Sequence, residues 1–308
     1  MSDDEGVLDP WVEQWMADNP GRAATLDLTP EILQLARGDY DLGGDKKPVA
    51  KVGDDVIEGV PVRIYEHDEP HTGVVVYIHG GGYCIGSVGI MDNVARELAF
   101  CTGAAVISVG YRLAPAHPFP AGLDDCEAVV RWALAHTDRF GVGAGQVAVA
   151  GESAGGNLSA TVSLRLQASP HPLAAQALIY PGTDGRSRHY PSQEEFDGLV
   201  LTQAGMDAFW AAYSGDRDID DDPFAAPVRA TDDQLRGLPP AFVVLGGCDL
   251  LRDEGRAYAA RLRGAGVPTE ELTVAGQPHG FVNFDFPAAA QVYDALGPWL
   301  RDRLRESA

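Results

Sequence analysis

Lysine is nearly absent from this chain. Lys46, Lys47 and Lys51 are the only three among 23 basic residues; the rest are arginine. Acidic residues number 45, which leaves a net charge of −22. A field of that sign repels nucleic acid and anionic membrane surfaces, so neither is expected as a partner. An acidic, lysine-poor chain fits a salt-adapted host, and it equally fits a plain arginine bias with good solubility. Cysteine is scarce too. Cys84, Cys101, Cys126 and Cys248 are scattered with no Cys-x-x-Cys pair. They are too few for a disulfide framework and read as reduced, mostly buried thiols. No apolar run approaches the roughly 20 residues needed to span a bilayer. The N-terminus is acidic where a secretory leader is basic and then apolar, which reads as a cytoplasmic protein. There are no internal repeats and no long low-complexity tract.

What is present is a rhythm. From Val60 onward, short apolar runs alternate with amphipathic stretches. Runs at 104–109, 147–150, 175–179, 241–245 and 271–274 read as strands buried on both faces. Segments at 90–101, 124–136, 154–167, 253–264 and 287–305 read as helices. This alternation predicts a mostly parallel sheet with helices on both faces. Two further strand-like runs, 62–66 and 74–78, are separated by a turn-like 67–73; they predict a hairpin and hence a mixed sheet. Residues 183–239 break the rhythm. They hold a helical 203–213 and acidic, proline-bearing connections, but no good strand. So long an excursion inside an α/β core is usually functional. It is read as a cap insertion, joined by a first part at 1–45, where Asp9-Pro10 marks a helix start. The catalytic core is then 46–182 and 240–308.

The chemistry concentrates in a few places. Gly151-Glu152-Ser153-Ala154-Gly155 matches G-x-S-x-G, between an apolar strand and a helix. Glycine is needed there because a strand-to-helix turn leaves no room beside a strained serine. His79-Gly80-Gly81-Gly82 follows the strand-like 74–78. Its bare backbone N–H groups can meet the negative oxygen of a tetrahedral intermediate. A dinucleotide fingerprint would need glycine at Ile85, and a phosphate loop would need Gly-Lys-Ser/Thr, so both rival readings fail.

A serine needs a base, and the base an orienting acid. In an α/β-hydrolase their chain order is serine, acid, histidine. Asp249 follows a late strand, and His279 is the only histidine beyond it. Asp253 and Glu254 fall in the next helical segment and are set aside. His79 lies inside the glycine loop and reads as an orienting residue. His67 and His71 lack the helix and the glutamate of a zinc-protease motif, and Asp220-Asp221-Asp222 lacks EF-hand spacing, so no metal is expected. Tyr83, beside the glycine loop, with Trp15 and Phe209 in the proposed cap, are candidates for lining a substrate pocket.

Five pieces together resemble the hormone-sensitive-lipase-like carboxylesterases, bacterial family IV of the α/β-hydrolases. They are His79–Gly82, the stretch from Tyr111 to Ala121, Gly151–Asn157, the stretch from Gly247 to Gly255, and His279-Gly280-Phe281. The resemblance runs from about residue 74 to the C-terminus and is loose over the cap. It implies an α/β-hydrolase fold with a helical cap, and hydrolysis of short-to-medium acyl esters through Ser153, Asp249 and His279. It also implies an oxyanion hole made by the N–H groups of Gly81, Gly82 and Ala154. No cofactor or metal is implied, and many members are homodimers joined through the last strand. The family usually carries Asp at the position of Glu152. A lactonase, an amide hydrolase or a non-catalytic small-ligand receptor could use the same scaffold. Only the receptor is argued against, by the presence of His279.

Overall fold

A computed structural model describes residues 5–19, 46–68, 70–185, 189–284 and 286–307. In chain order its elements are α1 (Pro10–Asp18), β1 (Lys51–Ile57), β2 (Val60–Glu66), β3 (Val74–Ile78), α2 (Asp92–Thr102), β4 (Ala105–Val109), α3 (Ala121–Ala135), β5 (Val147–Glu152) and α4 (Ala154–Arg165). Then come β6 (Ala175–Ile179), α5 (Pro191–Glu195), α6 (Gln203–Ser214), α7 (Asp232–Leu235), β7 (Ala241–Gly246), α8 (Arg252–Gly264), β8 (Thr269–Val274) and α9 (Ala289–Glu306). The 1–45 part of the proposed cap is described only over 5–19; the rest of it lies outside the described residues.

Eight strands form one sheet in the order β1-β2-β4-β3-β5-β6-β7-β8. From β4 to β8 every neighbouring pair is parallel, and β1 and β2 add an antiparallel edge. The pleat sends alternate side chains to opposite faces. In β3, Val74, Val76 and Ile78 pack in one layer with Leu123 and Val130 of α3 and Leu158 of α4. Val75 and Tyr77 pack in the other with Leu98 of α2 and Leu296 and Leu300 of α9. A strand buried on both faces must be apolar throughout, which is why these runs are legible in sequence.

The predicted hairpin is not formed. β2 pairs with β1 and β4, while β3 lies between β4 and β5. The true hairpin joins β1 to β2 through Glu58-Gly59, at φ of 50° and 81°. Two central residues at positive φ are what a two-residue turn matched to strand twist requires. Strand β1 was not foreseen because Lys51, Asp54 and Asp55 break its apolar alternation. It is an exposed edge strand, and charge there discourages pairing with another chain.

The strand order reverses between β3 and β5. Ligands of open α/β sheets bind beyond the carboxyl ends of the strands at such a switch point. The glycine loop leaves β3 and the G-x-S-x-G turn leaves β5, with Ile78 paired to Gly151. Helix α4 lies very close to β3 there: a Cβ built on Gly155 would fall 2.0 Å from the Ile78 carbonyl oxygen. Gly155→Ala is therefore expected to destabilise by about 3 kcal/mol or more. Gly264, at the end of α8, has open space around a built Cβ. Gly264→Ala should stabilise by about 0.5 kcal/mol. Urea melts of the two variants beside the wild type check both signs.

Candidate active site

Three loops at the carboxyl ends of the strands bring the sequence-predicted triad residues together. Ser153 caps β5 at φ 56° and ψ −122°, a region costly for a residue with a Cβ. Its amide donates to the Ile179 carbonyl at 2.9 Å, and its carbonyl accepts from the Asn157 amide at 3.1 Å. Asp249 follows β7 and is fully buried. Its Oδ1 accepts the Leu251 amide at 2.8 Å, and its Oδ2 lies 2.8 Å from His279 Nδ1. His279 Nε2 stands 2.8 Å from Ser153 Oγ. A carboxylate oxygen accepts, so Nδ1 carries the proton and Nε2 is left to accept from the serine hydroxyl.

The N-terminal segment braces the His279 loop. The Asp9 amide donates to the Gly276 carbonyl at 3.1 Å, and Gln277 Nε2 donates to Asp9 Oδ2 at 3.2 Å. Asp9 Oδ1 also caps α1, accepting the Trp11 amide at 2.8 Å.

The glycine loop turns at Gly81 and Gly82, with φ of 107° and 55°. Ala154 opens α4, so its N–H is one of the first-turn donors without an intrahelical acceptor. His79 is buried, and burial lowers its pKa to about 4, so its ring is neutral. Its Nδ1 lies 2.7 Å from the Gly80 carbonyl, which only accepts, so that nitrogen holds the proton. Tyr111 stacks on the ring at 4.4 Å and donates its hydroxyl to the His79 carbonyl at 2.9 Å. His79 is thus a brace of the loop, 2.7 Å from a backbone oxygen and without contact to Ser153 Oγ among its hydrogen bonds.

Two cavities of about 50 Å³ and 260 Å³ meet at Ser153. Of the three candidate pocket residues, Tyr83 lines the smaller and Phe209 lines both. Trp15 lines neither: it packs on Phe284 and Phe286, at ring separations of 5.4 and 4.8 Å, behind the wall that Phe284 makes. Position in the proposed cap could not distinguish a lining ring from a backing one. Other contributors went unread. Tyr180, at the end of β6, sets its ring edgewise against the His279 imidazole at 4.8 Å. Asn157 Nδ2 donates to the Gly182 and Ala225 carbonyls at 2.8 Å, tying α4 to the 183–239 excursion. Glu254 Oε1 accepts the Thr183 amide at 2.6 Å and the Asp184 amide at 3.3 Å. The two glycines around Thr183-Asp184 and the buried acid offered no motif from which these bonds could be inferred.

Residues 75–283 match a family model described as the alpha/beta hydrolase fold. The chain belongs to the α/β-hydrolase family. The hydrolase is 41% identical over 246 residues to carboxylesterase NlhH of Mycobacterium tuberculosis, covering 78% of this chain and 77% of that one. It is 33% identical to an arylesterase of Saccharolobus solfataricus, covering 83% and 85% respectively. The hyperthermophilic esterase from Pyrobaculum calidifontis superposes with a TM-score of 0.86 at 32% identity, covering 96% of this chain and 98% of that one. The likeness to the hormone-sensitive-lipase-like carboxylesterases read from the five motifs therefore holds. Among the described residues no helix is long and apolar enough to cross a membrane, and no three His, Cys, Asp or Glu side chains gather as a metal site.

Within the hydrolase's G-x-S-x-G turn, Glu152 is fully buried, and the Tyr77 hydroxyl donates to its Oε1 at 3.1 Å. Burial pushes its pKa up to about 8, against the Gly80 amide and the Tyr77 hydroxyl, which favour the charged form. The folded state thus holds a proton that the unfolded chain, with an ordinary carboxyl near 4.5, releases. The sign follows from linkage: where the native state binds more protons, stability falls as pH rises. Glu152 is therefore expected to erode stability between pH 4.5 and about 8 and to add no further slope above that. Glu152→Gln cannot titrate. Melting temperatures of variant and wild type across that range should diverge in the variant's favour as pH rises.

Proposed function

We propose that this hydrolase cleaves carboxylic esters by acyl transfer through Ser153. One observation carries the reading: the hydrogen-bonded line from Asp249 through His279 to Ser153, with both links at 2.8 Å. The relatives named as carboxylesterase and arylesterase support ester over amide cleavage. Ser153 Oγ attacks the ester carbonyl while its proton passes to His279 Nε2. Asp249 holds the imidazole tautomer and stabilises the imidazolium. The oxyanion lies against the N–H groups of Gly81, Gly82 and Ala154; each such donor is worth about 3 kcal/mol. The carbon–oxygen bond breaks, and the alcohol leaves with the proton from His279. Water then attacks the acyl-enzyme by the same route, giving the acid and free Ser153. Residues 183–239, with the N-terminal segment, act as the cap over this site.

Hydrolysis of p-nitrophenyl esters from acetate to palmitate tests the reading, at low and at molar salt. Activity is expected to peak at short acyl chains. Ser153→Ala and His279→Ala should each lower kcat by about four to six decades. A wild-type protein inert on every ester in both salts would overturn the assignment.

A further inference from the structure

The two cavities at Ser153 differ in size and lining. The smaller, about 50 Å³, is bounded by Ala154, Gly182, Gly185, Trp210, Leu251 and Glu254. The larger, about 260 Å³, is bounded by Ile85, Ile90, Val200, His279, Gly280 and Phe284. Phe209 and Leu201 line both, where the two cavities meet. Phe209 is seated against the glycine loop so tightly that a Cβ on Gly82 would fall 2.2 Å from its ring. Trp210 closes the small cavity. Its ring would lie 2.0 Å from a Cβ on Gly185, and its Nε1 donates to Asp220 Oδ1 at 2.8 Å, which fixes the wall.

Chemistry decides which half of an ester goes where. In the tetrahedral intermediate the carbon bonded to Ser153 Oγ carries the oxyanion, the acyl group and the leaving oxygen. The leaving oxygen takes its proton from His279 Nε2, so the alcohol half must lie on the imidazole's side. His279 and Gly280 bound only the larger cavity. The geometry points to esters that join a small acid to a bulky apolar alcohol, with Trp210 setting the acyl limit and the cavity beside His279 taking the alcohol. This rests on the esterase reading above and goes beyond it by assigning the two halves of the substrate.

A pair of isomers separates the halves. Benzyl acetate and methyl phenylacetate have the same atoms, with the ring on the alcohol side in one and on the acyl side in the other. We expect kcat/KM for benzyl acetate to exceed that for methyl phenylacetate by about tenfold or more. Trp210→Ala should narrow that ratio by about fivefold. Met206→Ala, from the same wall, serves if the tryptophan variant does not fold. Equal rates, a reversed preference, or a preference that neither variant moves would overturn the assignment while p-nitrophenyl acetate is still turned over. Inertness towards both isomers and p-nitrophenyl acetate would instead bring down the esterase reading, and this inference with it.

Discussion

Ser153 holds φ 56° and ψ −122° in a residue that gains nothing locally from doing so. Such a conformation persists only where its surroundings over-determine it. Here β5 is clamped between β3 and β6, and α4 starts at the next residue. The backbone of Ser153 is bonded on both sides, to Ile179 and Asn157. The close approach of Gly155 to Ile78 sets how near the helix comes to the glycine loop. That distance in turn decides whether the Ala154 amide and the loop amides can face one oxygen. The parallel sheet is thus the gauge of the site: strand spacing and register translate directly into donor geometry.

The excursion over 183–239 is attached to this gauge at several points. Asn157 reaches across to Gly182 and Ala225, and buried Glu254 holds the Thr183 and Asp184 amides. Tyr83 stacks face to face on Tyr213 of α6 at 3.7 Å. These links start from residues close in the chain to Ser153, Asp249 and the glycine loop. The cavity walls and the Ser153–His279–Asp249 line are therefore referred to the same framework, which favours a fixed pocket shape over one that adapts.

Much of this was legible in sequence, for identifiable reasons. Parallel strands buried on both faces must be continuous apolar runs, so β4 to β7 could be read almost residue by residue; the 271–274 run, expected to be buried on both faces, belongs instead to the edge strand β8, where only Val274 is buried because no strand lies beyond it. The serine turn and the glycine loop are dictated by backbone crowding, which leaves only glycine as an option at fixed offsets. Asp249 and His279 followed from their order and from their places after late strands. What failed was pairing. The 62–66 and 74–78 runs are adjacent in sequence but not in the sheet, because β2 closes on the polar edge strand β1, which carries no apolar signal. Trp15 shows the same limit for side chains: an aromatic on an amphipathic helix packs somewhere, and periodicity does not say against what. The bonds made by Asn157 and Glu254 join segments with no shared pattern, and only the folded geometry brings them together.

The contacts from Asp9 to Gly276 and Gln277 join positions 267 and 268 residues apart. Such closures are the slowest to find, because the chain entropy between their ends must be surrendered first. A growing polypeptide carries Asp9 long before Gly276, the partner of its amide, has been made. The sheet from β1 to β7 can assemble earlier, with the G-x-S-x-G turn already in place. His279 follows Ser153 by 126 residues, so the turn that holds the serine can form before the imidazole that faces it has been made.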